Sequence, residues 1–153
     1  MAEEIKPPRA SRFLDLTKQW QQGTWRPPIA ELVGFTLAEV EVGRAVTEMD
    51  AGPRHANAVG TLHGGVICDL ADAAMGAAIA TTVEEGESFT TLDLNAKYFK
   101  PVWSAHLRAV ARVTRRTRTL GLIECEVTDA GGSLVAKVFS TCMVLRGDEA
   151  RGR

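Results

Sequence analysis

A chain of 153 residues, 45% hydrophobic and 24% charged, has the length and composition of one globular domain that buries a single core. Its net charge of −1 gives no footing for nucleic acid or a membrane surface as partner. The three cysteines, Cys68, Cys125 and Cys142, lack paired spacing or a neighbouring His pair. They speak against a disulfide framework and a zinc site, and for apolar fillers in a reducing cytosol.

The opening residues, Met-Ala-Glu-Glu-Ile-Lys-Pro-Pro-Arg, lack the apolar core of a secretion signal, so a cytoplasmic protein is expected. Residues 1–10 read as a polar, loosely held arm. Ser11 is placed to cap a helix over Arg12–Gln22, where Phe13, Leu16 and Trp20 recur on one side and Gly23 supplies a stop. Trp25-Arg26-Pro27-Pro28 breaks the chain, and Ile29–Val33 makes one further helical turn before Gly34. The expected division is an arm with a short helix over 1–28, the main domain over 29–146 and a charged tail over 147–153.

From Phe35 the period changes to two. Phe35, Leu37, Val40 and Val42 punctuate one strand, Arg44–Met49 forms a second, and Gly43 joins them as a hairpin. A loop over Ala51–Thr61 delivers the chain to His63, where two glycines open an apolar helix reaching about Val83. Asp69 and Asp72 sit inside that helix, although Asp is a weak helix former and is rarely buried without a partner. Beyond the turn Glu84-Glu85-Gly86-Glu87, Phe89–Phe99 alternates, with Leu92, Leu94, Ala96 and Tyr98 on one face and Thr91, Asp93, Asn95 and Lys97 on the other. Pro101 ends it. Further strands follow at Ala105–Val113, around Ile123, Cys125 and Val127, and at Leu134–Leu145. One long helix with five or six antiparallel strands predicts an α+β domain whose curved sheet wraps the helix. His55 and His106 have no partner pattern and read as surface residues.

Asn57 stands six residues before His63-Gly64-Gly65, Asp72 nine after His63, and Thr91-Leu92-Asp93-Leu94-Asn95 is followed by Tyr98 and Pro101. Together these residues resemble the hotdog-fold acyl-CoA thioesterases, most of all the phenylacetic-acid-degradation (PaaI) type and its relatives among the 4-hydroxybenzoyl-CoA thioesterases. The likeness spans Ile29–Leu145. It implies a hotdog fold, paired protomers as a homodimer or a dimer of dimers, and hydrolysis of an acyl- or arylacyl-CoA to the free acid and coenzyme A without metal or redox cofactor. By position, Asp72 matches the family's catalytic carboxylate and Gly64 the backbone N–H that polarises the thioester carbonyl. Asn57 and His63 match its supporting polar residues, and Thr91 falls where some relatives place water with Ser or Thr. Gly76 stands where part of the 4-hydroxybenzoyl branch carries a Thr, which favours the PaaI-like branch.

The chemistry suits these residue types. Thioester hydrolysis needs a donor for the oxyanion and a group that activates water or attacks the carbonyl itself. A helix opening at Gly64 and Gly65 offers free N–H groups that a substrate can approach without a Cβ in the way. Gly64 and Asp72 are eight residues apart, about 12 Å along one helix, too far to act on one carbonyl. If both are catalytic, Asn57, His63 and Gly64 of one protomer meet Asp72 and Thr91 of another. Asp72 serves as general base or as nucleophile, while Asp69 reads as structural. Thr91, on the polar face of its strand, reaches the site only if that face lines the interface or a bulge re-aims it. Arg115, Arg116 and Arg118, with Arg54 and Lys100, are candidates for the phosphates of coenzyme A. The rival readings are a non-catalytic acyl-CoA binding or sensing module and a hotdog dehydratase or hydratase acting on the acyl chain.

Overall fold

The computed structural model describes residues 11–151. The expected N-terminal arm lies outside them. Ser11 caps α1 (Arg12–Gln21), its Oγ accepting from Leu14 N–H at 3.2 Å. Pro27 and Pro28 then start the six-residue α2 (Pro28–Val33), which stops at Gly34 in the left-handed region, φ 93°. Six strands follow, β1 (Phe35–Glu41), β2 (Arg44–Ala51), β3 (Glu87–Tyr98), β4 (Ala105–Arg116), β5 (Leu120–Asp129) and β6 (Leu134–Arg146), with α3 (Gly64–Ala80) between β2 and β3. They form one antiparallel sheet in the order β1-β2-β4-β5-β6-β3. The chain leaves β2, crosses the sheet as α3, and returns as the opposite edge strand.

The predicted elements are present, with differences that have local causes. The central helix opens at Gly64 as expected, with His63 as its N-cap, but ends at Ala80 rather than about Val83, where Thr81 turns its hydroxyl onto the Ala78 carbonyl at 2.6 Å. The predicted loop over 51–61 carries a 3₁₀ turn at Pro53–His55, and the tail a second at Gly147–Ala150. His55 is buried rather than on the surface: its Nδ1 accepts from Gly52 N–H at 3.2 Å and its Nε2 lies 2.8 Å from the Val33 carbonyl. His106 is exposed as expected and bonds Asp50 at 2.8 Å.

The core lies between the sheet and α3. Leu70, Ala74, Met75 and Ile79 are buried against Met49, Leu107, Ile123 and Val138 of the inward sheet face. Two buried hydrogen bonds fix the helix: Thr47 donates to the Leu70 carbonyl and Gly43 N–H to the Thr81 hydroxyl, each at 2.7 Å. The Cys125 and Cys142 side chains fill this core as free thiols. On its other flank α3 is covered by α1, anchored by Trp20 on Phe35, ring centroids 6.1 Å apart, and Phe13 on Phe89, 5.1 Å apart. The N-terminal helix is thus part of the packed body rather than an appendage to it.

Because Leu70 is wholly enclosed, Leu70→Ala is expected to lower the unfolding free energy by about 2–5 kcal/mol in a denaturant titration. An unchanged midpoint would contradict the helix-on-sheet core.

Candidate active site

The start of α3 is held by a compact polar loop. Asn57 closes it on itself: its side-chain amide donates to Thr61 Oγ1 at 2.9 Å, and its Oδ1 accepts from Val59 N–H at 3.0 Å and Thr61 N–H at 3.2 Å. Asn57 therefore shapes the loop before the helix, and His63 caps the helix itself. His63 Nδ1 accepts from Gly65 N–H at 2.9 Å, and the His63 carbonyl accepts from Val66 N–H at 3.0 Å. Among the described residues Gly64 N–H has no partner, so the one free donor of this turn is the one required of an oxyanion-binding group.

Gly64 is also where β3 meets the helix. The Tyr98 hydroxyl donates to the Gly64 carbonyl at 2.9 Å, and a Cβ on Gly64 would lie 3.0 Å from the Tyr98 ring and hydroxyl. Glycine is needed here for close approach. Tyr98 OH also lies 3.1 Å from the Cys68 sulfur, and burial with that contact pushes its pKa up to about 12, so it stays a donor at neutral pH. The clamp had no signal in the sequence beyond the presence of Tyr98 in the motif, because it joins residues 34 positions apart.

Two turns further along α3, Asp72 stands at an apolar cavity of about 360 Å³. Asp69, Asp72, Ala73, Gly76, Ala77 and Ala80 form its floor, a stripe one helical face wide, and α1 forms the facing wall with Phe13, Leu16 and Trp20. Partial burial raises the Asp72 pKa, and the neighbouring Asp69 charge raises it further. Asp69 is raised too, by burial, with His63 opposing. Asp69 thus acts on Asp72 as a repelling charge. The Phe13, Leu16 and Trp20 spacing marks an apolar stripe in the sequence but not the surface it faces, so the wall of the cavity was not legible there.

Thr91 does not line this cavity, but it turns to the inward side of β3. The pairing of β3 with β6 shifts register between Thr91 and Asp93, a bulge at Leu92 that reverses the phase of the strand. Phe89 and Thr91 before it, and Leu94, Ala96 and Tyr98 after it, all turn towards the helix, while Asp93 accepts from Thr141 N–H at 2.9 Å on the other side. Thr91 Oγ1 lies 3.8 Å from Cys142 Sγ. Burial raises the pKa of that thiol, with its hydrogen bonds to Thr91 and Ser140 opposing and the charges of Asp72 and Asp93 adding to the rise. Strict alternation over Phe89–Phe99 fails here because a period-two reading cannot register one extra residue.

The basic candidates separate. Arg116 is held by Glu87 at 2.9 Å, Lys100 pairs with Asp129, and Arg54 donates to the Val33 carbonyl at 3.2 Å. The Arg115 and Arg118 side chains are exposed and form no ion pair among the described residues. Among the described residues no three His, Cys, Asp or Glu side chains converge as metal ligands, and no helix is long and apolar enough to cross a membrane.

A long helix wrapped by a six-stranded antiparallel sheet, with a carboxylate beside an apolar cavity, is the hotdog architecture of thioesterases. A family model described as Thioesterase superfamily matches residues 59–136, half of the chain. Human acyl-coenzyme A thioesterase 13 is 32% identical over 105 residues, 67% of this chain and 74% of the relative. A single-substitution variant of the phenylacetic acid degradation protein PaaI of Thermus thermophilus superposes with a TM-score of 0.71 at 28% identity, over 76% of this chain and 98% of that one. A thioesterase of Haemophilus influenzae shares the fold at a TM-score of 0.78 and 23% identity, over 89% of this chain and 94% of that one. The chain belongs to the thioesterase superfamily, in its PaaI-like part, and is a thioester hydrolase.

The raised pKa of Asp72 has a consequence for stability. The folded state holds the Asp72 proton more tightly than the unfolded chain does, so the stabilisation is present below the ordinary carboxylate range and is lost as pH rises through the folded pKa. Asp72→Asn is therefore expected to melt at a higher temperature than the unsubstituted protein near neutral pH, with the gap closing as pH falls into the carboxylate range. A gap of the opposite sign would show that Asp72 is stabilised as an anion.

Proposed function

We propose that this chain hydrolyses the thioester of an acyl- or arylacyl-CoA at sites shared between two protomers. The observation that carries the reading is the pair of groups on α3: a free N–H at Gly64 and a carboxylate of raised pKa at Asp72, beside an apolar cavity. In the proposed step the Gly64 N–H binds the carbonyl oxygen and takes up its developing charge. Water adds to the carbonyl carbon as Asp72 accepts its proton, or Asp72 adds first and water then releases the acyl-enzyme. In either course the carbon–sulfur bond breaks and coenzyme A leaves as its thiolate. A carboxylate whose pKa lies above the usual range is the better base near neutral pH. Thr91 places the water, Asn57 and His63 hold the Gly64 peptide in position, and no cofactor enters the step.

The rigid helix supports a shared site, because eight residues of α3 put Gly64 and Asp72 about 12 Å apart. The β3 edge supports pairing of protomers. It is twelve residues long, contains no Pro, is unpaired on its outer side among the described residues, and exposes Leu92 at its bulge. Of the basic residues, Arg115 and Arg118 are available for the coenzyme A phosphates, since Arg116, Lys100 and Arg54 are engaged within the fold. A dimer, extended to a dimer of dimers, in the cytoplasm is the state in which this reading operates.

Thiol release from a panel of acyl- and arylacyl-CoAs tests the activity. Asp72→Asn is expected to lower kcat by roughly 10²–10⁴-fold with the fold retained, and near-normal turnover in that variant would sink the assignment. Shared sites are tested by complementation. Mixed dimers of Asp72→Ala and Asn57→Ala protomers should regain part of the activity that each variant lacks alone, and none should return if each protomer carries a whole site.

A further inference from the structure

The cavity beside Asp72 has a construction that invites a more specific reading. Its floor below the carboxylate is a run of the smallest side chains, Ala73, Gly76, Ala77 and Ala80. Its opposite wall, α1, is propped at both ends by aromatic contacts, Phe13 on Phe89 and Trp20 on Phe35, and so stands off the floor instead of collapsing onto it. Gly76 lies mid-helix with φ in the ordinary range, where glycine is unfavourable, and a Cβ there would meet nothing within 4 Å. No turn or close contact requires glycine at this position; what it leaves is space. Among the described residues no cation lines that space, and the carboxylates at one end are Asp69 and Asp72. The wall itself lies outside residues 59–136, the part matched by the family model.

We propose that this cavity is the acyl pocket of the chain, that α1 is the wall setting its specificity, and that Gly76 sets its usable length. The proposal rests on the thioesterase reading above. The acyl group passes Asp72 with its carbonyl left at the carboxylate, and its tail runs along Gly76 towards Ala80 under Leu16 and Trp20. An apolar cavity of about 150 Å³ holds a benzene. The 360 Å³ here holds a group about twice that size, an arylacetyl group or a medium-length alkyl chain. An acyl group with a carboxylate of its own is turned away, since it would be desolvated against aromatic walls beside two like charges.

The test compares kcat/KM over a series from butyryl- to dodecanoyl-CoA, with succinyl-CoA as the charged probe, in the unsubstituted protein, Gly76→Leu and Leu16→Ala. In the unsubstituted protein decanoyl-CoA should outperform succinyl-CoA by tenfold or more. Gly76→Leu, which places a branched side chain in open space, should lower the decanoyl-to-butyryl ratio at least tenfold, in line with the discrimination of about 10–200-fold that one methylene gives in a hydrophobic pocket. Leu16→Ala, acting from the facing wall, should shift the optimum to longer chains, and it decides the matter if Gly76→Leu does not fold. A ratio and an optimum that stay put in the folded variants, or succinyl-CoA turned over as well as decanoyl-CoA, would overturn the proposal while leaving the thioesterase reading intact. No thiol release from any member of the series by the unsubstituted protein would overturn both.

Discussion

A helix that is apolar on nearly every side has to be covered on nearly every side, and the architecture follows from how α3 meets that demand. One flank is buried by the sheet, whose inward residues enclose Leu70, Met75 and Ile79. Another is roofed by α1. Between these two covers the helix carries small residues and two carboxylates, and there the packing is left open. A carboxylate can be tolerated in such a helix because it faces a cavity and not a packed wall, and it stays partly desolvated, which raises its pKa. The same burial that holds the domain together therefore raises the pKa of the acid.

Rigidity along the helix axis is the second consequence. A helix packed along one side against the sheet cannot bend to bring its ends together, so the free N–H at Gly64 and the carboxylate at Asp72 keep their separation. Each end has its own support. Asn57, His63 and Tyr98 fix the first turn from three sides, through the loop, the cap and the β3 strand. Asp72 is flanked by Asp69 and by the cavity. In the proposed reaction these two ends serve different thioesters, and a second protomer is a chemical requirement.

Much of this was legible in the chain itself. The period of two located the strands, the Ala-rich run located the helix, and the motif through Asn57, His63, Gly64 and Asp72 pointed to the thioesterases. The failures are instructive because each is a place where local pattern and tertiary context part. Leu37 and Val40 fall on opposite phases of one strand because β1 carries a register shift between Leu37 and Glu39. Thr91 appeared on the polar face for the same reason, a bulge at Leu92. His55 has no pattern to announce its burial, since its partner Val33 meets it only when α2 packs beside the loop. Arg116 looked like one of three equivalent arginines, and Glu87 distinguishes it across 29 positions.

Periodicity, glycine placement and residue chemistry are local properties, and they sufficed to determine the α+β class and the central helix, while the resemblance carried by the motif through Asn57, His63, Gly64 and Asp72 pointed to the thioesterase family and to Asp72 and Gly64 as the residues of interest. Tertiary structure alone decided that α1 roofs the helix to leave a cavity, that Tyr98 clamps the Gly64 peptide, that Thr91 turns inward, and that Arg115 and Arg118 are the unengaged arginines of their cluster. These depend on contacts between residues far apart in the chain, and no window of sequence contains both partners.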